Sequence, residues 1–283
     1  MTIIEKLFNR ASTNWNKIKP FIPKFVIKSG FDFLFWCTDR NDKKLYKETS
    51  MPKFPPTNLR YRVHGNPFIE SYVTMGKDQK MFLESCLSKI DKNISSFQNI
   101  LDFGCGCGRT LISLKDNNTC NFFGTDIDEE AIRWCQHNLK FAKFDINQAL
   151  PPLQYESGKF DLVYVISVFT HLNEELQFLW LDELKRITKS KGILLLTINN
   201  IDLLKPLISK NENFSTVTKT GFVHHKGDFF QGTFPDWYQN AYHSKEYVMR
   251  NYSKYFKILH YIPKGMNNLH DVVLLENYSK LDI

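Results

Sequence analysis

The sequence predicts a doubly wound α/β fold: a mostly parallel sheet with helices on both faces, ending in an antiparallel hairpin. Three observations carry that expectation. From residue 97 short apolar runs alternate with segments of helical period, the pattern of repeated strand-helix units. KFDLVYVIS and GILLLTI are near-continuous apolar runs, as strands covered on both faces require. Near the end, YFKILHYI and DVVLLEN are joined by PKGMNNLH, too short for a helical crossover, so the two strands pair antiparallel.

Taken in order, residues 1–40 mix basic and apolar character, and prolines at 20 and 23 interrupt any long helix. Phe31, Phe33, Leu34, Phe35 and Trp36 form an aromatic run that packs on the main body, lies on a membrane or covers a ligand. Residues 41–59 are polar and proline-bearing, a linker or extended arm. YVTMGKDQKMFLESCLSKIDKNI then places Met81, Phe82, Cys86, Leu87 and Ile90 at helical spacing. Residues 1–96 are therefore an N-terminal extension, arm and lead-in helix before a domain spanning 97–283.

Within that domain QNILDF and NFFGTD read as strands, GRTLISLKDN and DEEAIRWCQHNL as helices. NEELQFLWLDELKRITKSKG sets Leu176, Trp180, Leu184 and Ile187 on one helical face. Asn173 caps it, Glu174 and Glu175 suit its positive end, and Gly192 follows its basic last turn. Residues 211–240 show no period and contain FVHHKGDFFQGTFPDWYQN, an inserted lobe or lid.

Composition bounds the class. With 42% apolar and 24% charged residues the chain is globular, and no run approaches the roughly 18 to 20 apolar residues of a membrane span. The opening MTIIEKLFNR lacks the basic-then-apolar pattern of a secretory signal. Six scattered cysteines suit a reduced cytoplasmic compartment. The net charge of +7 comes without a dense Lys/Arg run, which favours a solvated basic surface over a nucleic-acid interface. Nothing in the sequence bears on the oligomeric state.

The stretch LDFGCGCGRT lies between a predicted strand and helix, at the sheet edge where open α/β proteins bind ligands. Gly104, Gly106 and Gly108 let the backbone turn sharply and approach a ligand closely. Asp126 ends the next strand and can accept both hydroxyls of a ribose. Arg109 stands where a dinucleotide site wants its third glycine. Asp145, in AKFDINQALPPL, can accept from an adenine amino group or simply serve a turn. A metal reading of Cys105 and Cys107 fails on spacing: they are one residue apart and no second pair exists. They read instead as small, soft side chains packed under the loop, and no metal is expected.

On these residues, segment 98–199 resembles the class I S-adenosylmethionine-dependent methyltransferases, a Rossmann-like family. The matching elements are ILDFGCGCG, GTDID, KFDINQALP, FDLVYVISVFTHL and LDELKRITKSKGILLLT. The resemblance implies S-adenosylmethionine as cofactor. Gly104, Gly106 and Gly108 would then flank its methionine portion, Asp126 with Ile127 would take the ribose edge, and Asp145 with Ile146 would border adenine. Asp102 would support the loop and its amino group.

Acceptor-side candidates are less defined. His171, in SVFTHL, can orient a substrate, remove its proton or cap the following helix. His270 and Asp271 open the final strand on the same edge, as a site pair or a strand cap. Trp237, Tyr238, Gln239, Asn240 and His243 combine aromatic faces with polar tips, suiting a substrate wall or lobe packing. Arg60, Arg62 and His64 could close over the cofactor carboxylate or an anionic substrate. SVFT lacks both the Asn-Pro-Pro-aromatic run of amino-methylating nucleic-acid enzymes and the Pro-Cys of cytosine C5 chemistry. The expected reaction is thus methyl transfer to a small organic or peptide acceptor, oxygen preferred by a narrow margin, with nucleic acid disfavoured. The rival readings are a nicotinamide-dependent oxidoreductase and a non-catalytic binding module that recruits a partner through residues 1–40.

Overall fold

Where the sequence suggested an arm, the chain is helical. The computed structural model describes residues 24–48, 54–205, 218–225 and 239–278. Helix α1 spans Lys24–Glu48 and α2 spans Thr57–His64, so residues 41–48 and 57–59 are not linker. The polar residues that looked solvated are used internally. Arg60, 1% exposed, donates to the carbonyls of Pro67 (2.6 Å) and Pro55 (2.5 Å), to Asp42 (2.6 Å) and to the Thr57 hydroxyl (3.1 Å). Asp39 accepts from the Thr57 backbone and hydroxyl. Gly65, at φ 71°, closes α2 with its N–H on the Tyr61 carbonyl. Phe35 packs on Tyr61, whereas Phe33 and Trp36 are exposed, so of the readings open for the aromatic run packing holds for Phe35 and not for that pair.

Helix α3 covers Ile69–Ser88, and the chain divides within it into two compact units, 1–76 and 77–283. Its buried positions in the second unit are Gln79, Leu83, Cys86 and Leu87. Met81, expected on that face, is 59% exposed, because the stripe runs through positions 79, 83 and 87.

The second unit is built on the expected sheet. Strands β1 (Asn99–Phe103), β2 (Asn121–Asp126), β3 (Ala142–Ile146), β4 (Phe160–Val165) and β5 (Thr188–Asn200) pair in parallel in the order β3-β2-β1-β4-β5. The crossovers are α4 (Arg109–Leu114), α5 (Glu129–Asn138) and α6 (Glu174–Ile187). Adjacent β1 residues go to opposite layers. Leu101 joins Val163, Leu194, Trp180 and Leu184, and Ile100 joins Leu162, Leu195, Leu111 and Ile132. Burial on both faces is why these strands read as unbroken apolar runs.

Two boundaries differ from the expectation. Helix α6 ends at Ile187 and passes directly into β5, so Gly192 lies inside a strand rather than after a helix. Its last turn is closed by Asn277, whose Nδ2 donates to the carbonyls of Lys185 (3.0 Å) and Thr188 (2.7 Å).

Four further strands complete the sheet among the described residues: β6 (Phe222–His225), β7 (Asn240–His243), β8 (Lys257–Met266) and β9 (His270–Glu276), with α7 (Lys245–Tyr252) between β7 and β8. β9 runs antiparallel along one side of β5 and pairs with β8 as the expected hairpin. The turn is shorter than PKGMNNLH: β8 continues to Met266, and Asn267 and Asn268, at φ 53° and 54°, make the reversal.

β5 extends beyond the end of β4. Its last residues, Asn199 and Asn200, pair in parallel with Tyr242 and His243 of β7, which carries β6 antiparallel on its far side. The described ends of the 211–240 insert are thus sheet. Residues 211–217 and 226–238 lie outside the described residues.

Candidate active site

The loop 104–108 is bent by glycine and pinned from β2. Gly104, Gly106 and Gly108 have φ of 83°, 51° and 70°, a region costly for side chains. The N–H groups of Gly104 (2.8 Å) and Cys105 (3.1 Å) donate to the Thr125 carbonyl, and Gly106 N–H donates to Asp126 Oδ2 (2.7 Å). A Cβ on Gly104 would strike Val168, in the turn after β4. The β1 and β4 loops therefore meet at the carboxyl edge with no room for a methyl group between them. Gln79 of α3, 3% exposed, accepts from Arg109 Nε (3.0 Å) and Thr110 Oγ1 (2.8 Å) and so sets the start of α4.

Asp126 is the centre of this arrangement. Its Oδ1 accepts from the Asp128 N–H (2.8 Å) while Oδ2 holds Gly106. A carboxylate offers about four acceptor positions, so two backbone bonds leave capacity for a vicinal diol. Burial raises its pKa, against the lowering effect of those backbone bonds. The neighbouring Ile127 and Ile146, 45% and 36% exposed, put two branched apolar side chains on the rim. Ile146 pairs with Asp126 across β2 and β3.

Asp102 lies beneath the loop, 3% exposed. Burial lifts its pKa to about 8; the nearby Tyr164 hydroxyl opposes the rise, though their geometry falls short of a full hydrogen bond. At neutral pH Asp102 is mostly a neutral acid. Asp145, one residue out of phase with Ile146, points to the opposite face of β3, where its Oδ2 accepts from the Tyr155 hydroxyl (2.9 Å). Cys105 and Cys107 are buried, and Cys105 Sγ would lie 2.9 Å from a Cβ on Gly124. Among the described residues no three His, Cys, Asp or Glu side chains gather as a metal site.

The second half of the edge lies after β4. Ser167 takes φ 58° and donates its N–H to Thr197 Oγ1 (2.8 Å), turning the chain toward His171. His171 Nδ1–H donates to the Gln239 carbonyl (2.7 Å), which makes Nε2 the basic nitrogen. Burial and the nearby His270 lower its pKa to about 4, so the ring is neutral at physiological pH. Burial also lowers the pKa of His270, whose Nδ1 is buried without a hydrogen-bond partner.

Four other expected site residues have different work. Asp271 is fully buried and accepts from Asn200 Nδ2 (2.6 Å), the Lys264 N–H (2.8 Å) and the Tyr261 hydroxyl, so it ties strand ends together. His243 is also fully buried, with Nε2 on Gln177 Oε1 (2.9 Å) and a pKa that burial lowers to about 3, which removes it as a proton carrier. Arg60 is fully engaged within the first unit. Arg62, half-buried, belongs to that unit as well. His64 ends α2, Asn240 opens β7 opposite His225, and Trp237 and Tyr238 lie outside the described residues.

Val168, Ser167, Gln79 and Gln177 were not singled out by the sequence. Gln177, 0% exposed, donates to the carbonyls of Phe169 (3.1 Å) and Leu172 (3.0 Å) and accepts from His243 and the Tyr252 hydroxyl (2.7 Å). A polar residue on the apolar stripe of a helix was the one available signal for Gln79 and Gln177.

A glycine loop and a strand-ending carboxylate meet at the carboxyl edge of a sheet closed by an antiparallel strand, the arrangement of α/β folds that bind ligands at that edge. Residues 101–196 match the family model described as a methyltransferase domain. Over those residues, about a third of the chain, the protein is similar to methyltransferase domains.

The ribosomal protein L11 methyltransferase of Paraburkholderia phymatum is 32% identical over 78 residues, 28% of this chain and 26% of that protein. The Burkholderia mallei protein of the same name is 31% identical over 78 residues. The chain thus spans about a quarter of the length of the curated relatives it matches. Its fold is similar to that of a Pyrococcus horikoshii protein (TM-score 0.52, 20% identity, 70% of this chain and 89% of the other). It is also similar to an S-adenosylmethionine-dependent methyltransferase from Clostridium acetobutylicum (TM-score 0.50, 13% identity, 72% and 92%). At these identities the likeness is one of fold.

Proposed function

We propose that the protein transfers a methyl group from S-adenosylmethionine to a small organic or peptide acceptor, with a hydroxyl as the preferred nucleophile. The observation that carries this is Asp126, whose carboxylate fixes the glycine loop through Gly106 while retaining acceptor capacity toward a ribose diol. The tight approach of Gly104 to Val168 and the exposed Ile127 and Ile146 fit the remainder of the cofactor.

Bound S-adenosylmethionine supplies a methyl group on a positively charged sulfur. The protein's own residues orient the reactants and exclude water. Asp126 and the loop amides fix the nucleoside end. His171, held by the Gln239 carbonyl in the tautomer with Nε2 unprotonated, orients the acceptor hydroxyl by accepting its hydrogen bond.

A protein acceptor is the second reading, favoured by the ribosomal protein L11 methyltransferases, whose likeness spans 26% of their length. Among the described residues no helix is long and apolar enough to cross a membrane. All six cysteines are free, which suits a reducing cytoplasm.

The test begins with calorimetric titration of S-adenosylhomocysteine against a nicotinamide dinucleotide. Binding of the dinucleotide alone overturns the reading. Transfer of a radiolabelled methyl group into fractionated metabolite and protein extracts then identifies the acceptor. Label confined to a large protein would replace the small-acceptor assignment.

A further inference from the structure

Helix α1 presents a face that the transfer reaction does not use. Ser29, Phe33, Trp36, Arg40 and Lys43 recur every three or four residues and are all exposed, so they share one side of the helix. Phe33 and Trp36 are 66% and 56% exposed and lie against each other at 6.0 Å and 24°. The Arg40 guanidinium sits 5.5 Å over the Trp36 ring. A single exposed apolar residue would need no explanation, but a stacked Phe-Trp pair leading into a basic run does.

The charges on α1 are sorted. Asp39 and Asp42 turn inward, where Thr57 and Arg60 engage them. Arg40, Lys43 and Lys44 are exposed, with Asp32 the one exposed acid among the described side chains of the helix. The outward face is therefore aromatic in its first half and cationic in its second. Such a face suits a helix lying in a bilayer interface, rings at the acyl boundary and cations among the headgroups.

We propose that α1 docks the protein onto membrane surfaces rich in anionic phospholipid. The charge complements anionic headgroups, each cation near the surface strengthening binding about fivefold. Single-stranded RNA fits less well. Bases need open ring faces to stack on, and here Phe33 and Trp36 cover one another. A bilayer needs only apolar area and takes the pair as it stands. This docking is independent of the methyl-transfer reading, since it uses no residue of that site.

The experiment is flotation of the full chain with phosphatidylcholine vesicles, with and without a third of phosphatidylglycerol. We expect co-flotation with the anionic vesicles alone, weakened by salt. The F33S/W36S double variant should lower partitioning at least about tenfold, and R40E/K43E at least about twentyfold, with thermal midpoints unchanged. Absence of flotation overturns the proposal, as does flotation undiminished in F33S/W36S. Binding to a single-stranded RNA oligonucleotide without vesicle binding also overturns it.

Discussion

Asp126 accepts from the Gly106 and Asp128 N–H groups, and the proposed ribose contact rests on the same carboxylate. Asp126→Ala should weaken S-adenosylhomocysteine binding about 10- to 100-fold, since hydrogen bonds to a charged group are worth about 1.5 to 3 kcal/mol. Isothermal titration of the folded variant reads this directly. Gly104 invites a paired test. Gly104→Ala meets Val168 and also holds φ at 83°, so it should cost about 1 to 3 kcal/mol and abolish binding. Adding Val168→Ala should restore the space but not the backbone preference, recovering part of the stability in urea melts.

At this scale the glycines and Asp126 were legible because their spacing is local. Val168 was not, since nothing near Gly104 in sequence announces it. Nor could the sequence rank His171 above His243: only the packing of Gln177, Tyr247 and Tyr252 around His243 shows it to be core.

Among the elements, the turn after β4 and the β6–β7 ribbon are held as one piece. Ala241 N–H donates to the Thr170 carbonyl (2.7 Å), Gln239 holds His171, and Gln177 links Phe169 and Leu172 to His243 and Tyr252. Gln177→Ala strands several buried polar groups, each costing about 1 to 3 kcal/mol unpaired, so a loss of about 2 to 5 kcal/mol is expected by chemical denaturation. Gln177→Glu cannot donate to the two carbonyls and should not rescue it.

The strands and crossover helices were readable from apolar period. Two endings were not, because long-range partners set them. The side chain that closes α6 arrives from 92 positions later, at Asn277. Helix α1 was misread for a related reason: Asp39 and Asp42 look like solvent-facing linker charges until α2 brings Thr57 and Arg60 against them.

For the whole molecule, buried titratable groups give stability a maximum in pH. His171 and His243 have pKa values near 4 and 3, below the roughly 6.5 of the unfolded chain. The unfolded state therefore binds more protons below about pH 6.5, and stability falls as pH drops through that window. Asp102 acts oppositely. Its pKa of about 8 exceeds its unfolded value, so its contribution is full in acid and is lost as pH rises through 8.

Between about pH 4 and 6.5 His171 and His243, joined by His270, outweigh Asp102, which is opposed by no histidine above that window. Stability should peak near pH 6.5 and fall by about 2 kcal/mol toward pH 8. Denaturant midpoints at pH 5.5, 6.5 and 8 test this, and Asp102→Asn should flatten the alkaline side while leaving the acid side in place.

The pairing of His225 with Asn240 has a consequence for how such a protein can change. Both ends of the segment between them are anchored in sheet, and its far end adjoins the carbonyl that holds His171. Exchanging that segment leaves the anchors and the cofactor edge in place. The fold thereby offers a graft point bracketed by β6 and β7, where one stretch of chain can be replaced without altering the strands that carry it.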